Sequence, residues 1–220
     1  MRVGILGGTF DPVHLGHLKL AQTARQMAGL NRVYFVTSVN PPHKSSCTQA
    51  NFLDRHGMLA LALAGQPELI PSSLEFDRAG RSYTIDTLRA FKQMFPSGTL
   101  FFFLIGIDAF LEIGSWKEYR LLPELCHFLV FSRPGFPREE LGERLPAGLI
   151  NQVVPTLLTS EVKIFDFQKI ILAEGFECPI SSTMIRARIQ QGESVEDYVP
   201  PLVAEYLRKT GLYRQDSPGN

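Results

Sequence analysis

The sequence has few cysteines, no net charge and no long apolar run, and each of these absences excludes a class of protein. Its three cysteines, Cys47, Cys126 and Cys178, lie far apart and form no CxxC pair. This spacing argues against a disulfide framework and against a zinc knuckle. The 22 basic and 22 acidic residues of the 220-residue chain give a formal net charge of +0. Such a balance argues against an extended surface for nucleic acid or for anionic membrane.

The apolar runs are also short. The most apolar of them, Leu100 to Ile107, is far too short to span a bilayer, and MRVGILGG at the start lacks the long apolar stretch of a signal peptide. Hydrophobic residues nevertheless make up 45% of the chain, which argues against disorder. We therefore expect a soluble cytoplasmic protein with a buried core and with neither a nucleic-acid nor a membrane partner.

Strand and helix patterns alternate along the chain. Apolar and β-branched runs predict strands at residues 2–6, 32–38, 69–76, 99–106, 127–132 and, more weakly, 162–165. Amphipathic stretches predict helices at about 16–28, 51–64, 84–95, 182–191 and 202–209, with Thr84 as the N-cap of the third. Residues 136–160 show no pattern that favours either state. The alternation predicts an α/β fold with a Rossmann-like parallel sheet and helices on both faces.

Unusual segments follow the ends of four predicted strands. They are GGTFDPVH after the first strand, NPPHK after the second, GID after 99–106 and SRPG after 127–132. In parallel sheets ligands bind beyond the carboxyl ends of the strands. We therefore expect these four segments to meet at one edge of the sheet.

The first of these segments, GGTFDPVHLGH at residues 7–17, favours a phosphate site. Its glycines permit a sharp turn or a close approach to a ligand, and the helix that follows offers backbone N–H groups to an anion. His14 and His17 are three residues apart, so they share a helix face and can both donate to phosphate oxygens. The stretch matches neither GxGxxG nor a P-loop. A metal pair lacks a third ligand nearby, and ordinary packing histidines remain the simple alternative.

A second candidate anion site is ISSTMIR at residues 180–186. Ser181 or Ser182 is suited to cap a helix whose first N–H groups face an anion, and Arg186 lies one turn further along. Its guanidinium can bind a polyphosphate with two parallel hydrogen bonds. Taken alone, this stretch is more typical of a capped helix with a solvated arginine.

The two motifs together resemble those of nucleotidyltransferases with a Rossmann-like fold. The combination of GGTFDPVHLGH, NPPHK, RSYTIDTL, GIDAF with SWK, and ISSTMIR is similar, more narrowly, to the bacterial nicotinate-nucleotide adenylyltransferase family. The resemblance spans roughly residues 2–213. It implies one nucleotidyltransferase domain over 1–214 with a C-terminal helical extension from about 182, followed by a frayed tail at 215–220.

The resemblance also implies an activity, which is the transfer of AMP from ATP to nicotinic acid mononucleotide, with pyrophosphate as the second product. The attacking group would be the 5′-phosphate of the mononucleotide, which is already anionic and needs no general base. Mg²⁺ would arrive with ATP and be bound largely by phosphate and water, so no protein metal ligand is expected. The resemblance leaves open whether the protein forms a homo-oligomer.

The family's roles can be carried over to matching positions. Catalytic roles fall on His14, His17, Lys44 and Arg186. ATP binding is implied for Gly8, Thr9, Phe10, His14, His17, Gly106, Asp108, Ile180, Ser181, Ser182 and Arg186. Binding of the mononucleotide is implied for Gly8, Thr9, His43, Lys44, Thr84, Trp116 and Arg133.

Within these sets, some roles are more specific. Asp108 would accept hydrogen bonds from the ribose of the adenosine, Trp116 would stack on the nicotinate ring, and the helix start at Thr84 would receive the pyridine carboxylate. Simple alternatives are a helix N-cap for Asp108, a core position for Trp116 and a solvated turn for Arg133.

Two other functions compete with this interpretation. A sister enzyme would use nicotinamide mononucleotide, alone or alongside the acid, or phosphopantetheine. A non-catalytic nucleotide sensor on the same fold is the third hypothesis. Because a degenerate module should have lost a phosphate ligand, the presence of His14, His17, Lys44 and Arg186 argues against the sensor.

Overall fold

The computed structural model describes residues 1–39, 48–78, 80–132, 134–137, 139–157 and 170–214. Over these ranges seven strands form one sheet in the order β3-β2-β1-β4-β5-β7-β6, and every neighbouring pair is parallel. The strands are β1 (Arg2–Gly8), β2 (Arg32–Thr37), β3 (Leu69–Ser72), β4 (Leu100–Gly106), β5 (His127–Phe131), β6 (Val153–Leu157) and β7 (Ile170–Glu174). The sheet confirms the predicted Rossmann-like α/β fold.

The strand order reverses direction between β1 and β4, at the centre of the sheet. Ile5 of β1 lies opposite Tyr34 of β2 on one side and opposite Phe103 of β4 on the other. The chain leaves β1 and β4 towards opposite faces, which opens a crevice at the carboxyl ends of these two strands. Gly8 and Gly106, where β1 and β4 end, therefore border the expected ligand site.

Helices cover both faces of the sheet. They are α1 (Leu15–Ala28), α2 (Phe52–Leu63), α3 (Leu74–Arg78), α4 (Thr84–Met94), α5 (Ile107–Phe110), α6 (Leu122–Leu125), α7 (Glu139–Arg144), α8 (Ala147–Ile150), α9 (Ser182–Gln190) and α10 (Pro201–Thr210). Buried residues of α1, α2, α9 and α10 share one core, and those of α4 to α8 share the other. The C-terminal helices thus lie on the same face as α1. None of the helices in these ranges is long and apolar enough to cross a membrane.

The strands serve both cores because their side chains alternate. Phe102 and Leu104 of β4 pack into the α1 side, whereas Phe101, Phe103 and Ile105 pack into the α4 side. Helix α1 follows the helical period, with its buried stripe at Leu18, Ala21, Ala24, Met27 and Ala28. It ends at Gly29, whose left-handed φ of 57° lets its N–H bond to the Arg25 carbonyl.

Several predicted boundaries were wrong. Strand β3 stops at Ser72 and the chain turns into α3, so residues 74–76 are helical; Glu75 there accepts a hydrogen bond from Thr87 Oγ1 at 2.7 Å. Helix α4 does begin at Thr84, but its N-cap is Tyr83. The stretch 136–160, which showed no pattern, contains α7, α8 and β6.

Strand β7 was missed altogether, although IILAE is buried over Ile170–Ala173. The weak strand predicted at 162–165 and the tail at 215–220 lie outside the described residues.

Candidate active site

The loop between β1 and α1 is held in one conformation by its own side chains. Phe10 adopts a left-handed φ of 48°, which is unfavourable for a non-glycine residue, and its ring is buried, which offsets that cost. The ring meets His17 edge-on with centroids 5.0 Å apart, and it fills the space beside Gly8, where a Cβ would lie 3.0 Å from it. Phe10 is therefore a core residue whose ring contacts and orients His17.

His14 and His17 lie together, as their spacing predicted. Their rings stack with centroids 3.7 Å apart and planes 28° apart. The backbone N–H of His14 donates to Nδ1 of His17 at 3.2 Å. Because an accepting Nδ1 carries no proton, the ring proton of neutral His17 lies on Nε2. The tautomer of His17 is thus determined by the backbone of its neighbour.

His14 is nearly fully buried, with 6% of its surface exposed. Burial lowers the pKa of its imidazole to about 4, so the ring is neutral at pH 7. Its Nδ1 is buried and has no hydrogen-bond partner among the described residues. At pH 7 His14 can therefore offer a neutral N–H donor, and no positive charge, to a ligand.

The start of α1 is less open to an anion than the sequence suggested. The N–H of Leu15 donates to the carbonyl of Tyr198 at 2.9 Å, and the N–H of His17 donates to the carbonyl of His14 at 3.0 Å. Since these two amides already have acceptors, the histidine rings and the amide of Gly16 are the donors that this end of the loop can offer to an anion.

Helix α9 begins against the same loop. Ser181 is its N-cap and accepts from the N–H of Met184 at 3.1 Å, while the Ser182 hydroxyl donates to the Pro12 carbonyl at 2.9 Å. The amides of Ser182 and Thr183 have no acceptor among the described residues. This arrangement confirms that the two motifs at opposite ends of the chain meet, and it leaves the first turn of α9 able to bind an anion.

Arg186 also points back to the loop. Its Nη1 donates to the Asp11 carbonyl at 2.7 Å and its Nη2 donates to Thr183 Oγ1 at 3.2 Å. About 20% of its side chain is exposed. The guanidinium is therefore positioned by two hydrogen bonds, and its remaining N–H groups can serve a ligand.

Comparisons with known proteins agree with this geometry. A family model described as cytidylyltransferase-like matches residues 5–188. A probable nicotinate-nucleotide adenylyltransferase of Thermus thermophilus is 41% identical over 214 residues, which cover 97% of this chain and 100% of the relative. A protein of the same description from Citrifermentans bemidjiense is 37% identical over 213 residues, covering 97% of this chain and 98% of the relative.

The chain belongs to the nicotinate-nucleotide adenylyltransferase family. Its fold is also that of a solved Plasmodium falciparum nicotinic acid mononucleotide adenylyltransferase complexed with NaAD. That structure matches with a TM-score of 0.71 at 22% identity, and the match covers 96% of this chain and 97% of that one.

A buried ionic cluster that no sequence motif indicated supports the loop between β1 and α1, residues 9–14, which we call the phosphate loop after its proposed ligand. Asp11, only 4% exposed, accepts hydrogen bonds from the N–H groups of Gln49 and Ala50 and from the Tyr213 hydroxyl. Arg55, 1% exposed, donates to the carbonyls of Thr9, Ser38 and Ala50. Burial lowers the pKa of Arg55 and the charge of Asp11 opposes that shift.

One signal for this cluster was present in the sequence. Arg55 lies in phase with the apolar positions Met58, Leu59 and Ala62 of α2, and a cation on a buried helix face requires partners. Nothing local identified Tyr213, because its partner is 202 positions away.

The residues predicted to bind the two nucleosides lie after β4, where Asp108 and Trp116 follow the strand, and at the start of α4, where Thr84 is the first residue. Asp108 is exposed in the first turn of α5, whose N-cap is Gly106 and not Asp108. Trp116 is half-buried, and its ring system packs against that of Phe103 in a T-shaped arrangement with the centroids 6.1 Å apart. It is therefore partly a core residue, as the simple alternative held. His43, Lys44 and Arg133 lie outside the described residues.

A basic cluster near Trp116 was also missed. A cavity of about 430 Å³ beside the first turns of α4 is lined by Tyr83, Asp86 and the cations Arg78, Arg81, Arg89 and Lys117, with Ala90 and Gln93. Lys117 pairs with Asp86 at 3.0 Å and lies 4.9 Å from the centre of the Tyr83 ring. A larger cavity, of about 1160 Å³, lies between α9 and α10 and contains none of the predicted site residues.

The described part of the chain contains no group of three or more His, Cys, Asp or Glu side chains arranged for a metal ion. The groups that this loop and α9 bring together are the two imidazoles and the guanidinium of Arg186. Their N–H groups can donate to phosphate oxygens.

Proposed function

We propose that this protein transfers the adenylyl group of ATP to nicotinic acid mononucleotide and releases pyrophosphate, as a step of NAD biosynthesis. The observation that carries the proposal is the meeting of the stacked His14–His17 pair with Arg186 and the start of α9, beside the β1–β4 crevice. Family membership and this cluster of phosphate-binding groups support the same reaction.

The chemistry is a displacement at the α-phosphorus of ATP. An oxygen of the mononucleotide 5′-phosphate forms the new P–O bond, and the bond from the α-phosphorus to the bridging oxygen of the β-phosphate breaks. Because the nucleophile is already anionic, no side chain has to remove a proton. Catalysis then consists of aligning two anions that repel one another and stabilising the charge that develops on the transferred group.

The described residues divide this task between them. His14 and His17 donate hydrogen bonds near the α-phosphate, and Phe10 holds the ring of His17 in place. Arg186 and the amides of Ser182 and Thr183 bind the outer phosphates and so stabilise the leaving pyrophosphate. Lys44 and His43 would act from the segment after β2.

Mg²⁺ is proposed to accompany ATP. The donor set fits an ion held through phosphate oxygens and water, because the buried carboxylate of the loop, Asp11, already accepts three hydrogen bonds. When bound, the ion neutralises charge on the triphosphate.

The second substrate is proposed to lie towards α4. The start of this helix at Thr84 and the cations around the neighbouring cavity favour an anionic acceptor, and an amide ring lacks the charge they would stabilise. Trp116 would stack on the pyridine ring, Asp108 would accept from the adenosine ribose, and Arg133 would contact the mononucleotide phosphate.

The experiment is pyrophosphate release from ATP and Mg²⁺ with nicotinic acid mononucleotide, nicotinamide mononucleotide or phosphopantetheine as acceptor. We expect a strong preference for the acid. Comparable rates with the amide would indicate a dual-specificity enzyme, and activity only with phosphopantetheine would contradict the proposal. A folded sample that binds ATP but is silent with all three would be a sensor.

A matched pair of variants tests the role of the α9 cation. Arg186→Gln is expected to lower kcat/KM for ATP by about 100-fold, in line with the loss of a charged transition-state contact. Arg188→Gln, two positions along the same helix, removes an arginine that pairs with Glu193 at 3.0 Å instead. It should leave turnover within about twofold, as expected of an exposed pair.

A further inference from the structure

We propose that Tyr213 is a positioning residue that keeps Arg186 available for the triphosphate by satisfying the carboxylate of Asp11. The identity of the ligand as ATP rests on the proposed function. The inference concerns a residue that follows α10 and that no sequence motif links to the phosphate loop.

Asp11 is enclosed by hydrogen-bond donors on both carboxylate oxygens. Its Oδ1 accepts from the Tyr213 hydroxyl at 2.7 Å and from the N–H of Ala50 at 3.1 Å, and its Oδ2 accepts from the N–H of Gln49 at 2.9 Å. The carboxylate is 94% buried by side-chain surface, with 6% exposed, so water can replace few of these donors. A buried carboxylate that loses a donor therefore gains a strong preference for the nearest remaining cation.

That cation is on Arg186. Its Nη1 lies 2.7 Å from the backbone carbonyl of Asp11 but 4.0 Å from Oδ2 of the same residue. The guanidinium thus binds the neutral main chain and stands just short of a close ion pair with the carboxylate. A shift of about 1 Å would form that pair at ordinary hydrogen-bond distance. The shift would also turn N–H groups away from a ligand.

The charges around Asp11 explain why the position of Arg186 depends on Tyr213. Arg55 acts on the carboxylate from the α2 side, and Arg186 acts on it from the α9 side. With Tyr213 in place, the carboxylate is stabilised by neutral donors as well as by Arg55, and the charge of Arg186 is left largely for a phosphate. Burial, followed by the hydrogen bond to Asp11, raises the pKa of Tyr213 well above its usual range, so the phenol stays protonated as a donor.

The test is Tyr213→Phe, which removes the hydroxyl and keeps the buried ring. We expect the Kd and KM for ATP–Mg²⁺ to rise about tenfold, the free-energy equivalent of one hydrogen bond to a charged group. The KM for nicotinic acid mononucleotide should stay within about twofold. A variant that is merely less stable, with an unchanged ATP Kd, would overturn the inference.

Tyr206 of α10 supplies a matched control. Its hydroxyl also donates to a carboxylate at 2.7 Å, but the acceptor is Asp54 of α2, which has no contact with Arg186 among the described residues. Tyr206→Phe should leave the ATP Kd unchanged, and it should cost less thermal stability than Tyr213→Phe because its hydrogen bond is less buried. Equal effects of the two variants on ATP binding would contradict a specific role for Tyr213.

A double-mutant cycle tests the route through Arg186. In an Arg186→Gln background, Tyr213→Phe should have no further effect on the ATP Kd, because the group through which it acts is gone. An undiminished tenfold effect would show that Tyr213 acts on ATP by another route. ATP–Mg²⁺ binding is measured calorimetrically without the mononucleotide. An absence of turnover with every acceptor would therefore contradict the proposed function, whereas an unchanged ATP Kd in Tyr213→Phe would contradict this inference.

Discussion

The buried imidazole of His14 makes the stability of the protein sensitive to mild acid. Its pKa is lowered to about 4 in the folded state, whereas an exposed histidine in the unfolded chain titrates near 6.5. Between these values the unfolded state binds more protons, so the free energy of unfolding rises with pH. The free energy of unfolding is therefore not reduced by His14 above pH 6.5, and it decreases as the pH falls from 6.5 towards 4.

We expect this residue to cost about 2 kcal/mol of stability between pH 7.5 and pH 5. The measurement is urea unfolding of the wild type and of His14→Gln, without ATP, at both pH values. The variant should lose less stability on acidification than the wild type does. Parallel losses would show that His14 titrates normally.

His17 differs from His14 because its role is proposed to lie in the transition state. His17→Ala should lower kcat by about 100-fold or more, the usual effect of removing one preorganised donor. The affinity for nicotinic acid mononucleotide should change little. Normal turnover with weakened mononucleotide binding, measured by steady-state kinetics and calorimetry, would assign His17 to the other substrate.

Helix α1 packs closely against the chain leading into α9 at Gly16. A methyl group on Gly16 would overlap the sulfur of Cys178 and lie 3.0 Å from Nδ1 of His14. Glycine is required at this position because of these neighbours, and not because of its backbone angles. The contact links the approach to α9 with the orientation of the first histidine.

Gly16→Ala should therefore cost about 1–3 kcal/mol of stability, as overpacking does, and should also lower turnover by displacing His14. Adding Cys178→Ala removes the overlap with sulfur and should restore part of the stability. Cys178→Ala alone serves as the control and should be nearly neutral. Thermal unfolding and pyrophosphate release measure the two effects, and a Gly16→Ala variant that behaves like the wild type would refute this account of the packing.

The elements that the sequence predicted well are those with a strong local signal. The strands ending at Gly8 and Gly106 are short apolar runs closed by glycine, and α1 has a clear apolar stripe closed by Gly29. Strand β3 was extended too far because LEF, residues 74–76, continues an apolar–polar alternation into α3. Strand β6 was missed because VVPTL contains a proline, and its pairing with β7 depends on a distant segment.

The same distinction separates the predicted from the missed site residues. His14, His17, Ser181, Ser182 and Arg186 stand in local motifs whose spacing carries the chemistry. The roles of Asp11, Arg55 and Tyr213 depend on contacts that form only when remote segments come together. Local spacing contains no information about such contacts.

On the scale of the whole molecule, residues from the C-terminal part of the chain contact the phosphate loop and the start of α1. The Tyr198 carbonyl accepts from Leu15, the Tyr213 hydroxyl donates to Asp11, and the Tyr213 ring is buried in the core shared by α1 and α10. Removing residues 211–220 should therefore cost about 3 kcal/mol, comparable to deleting a large buried aromatic ring, and should abolish most turnover.

Removing only residues 215–220 keeps every contact described above and is the matched control. Its thermal midpoint and its turnover should equal those of the full chain. If both truncated chains behaved alike, the Tyr213 contacts would contribute nothing measurable.

The bond between Tyr213 and Asp11 also has a consequence for synthesis of the chain on the ribosome. The loop that carries His14 emerges early, but the groups that complete it, Arg186 and Tyr213, are translated 175 and 202 positions after Asp11. An incomplete nascent chain can pair its first strands, yet it cannot assemble the phosphate site. Polypeptides released before Tyr213 has been added should therefore neither bind nor consume ATP competently.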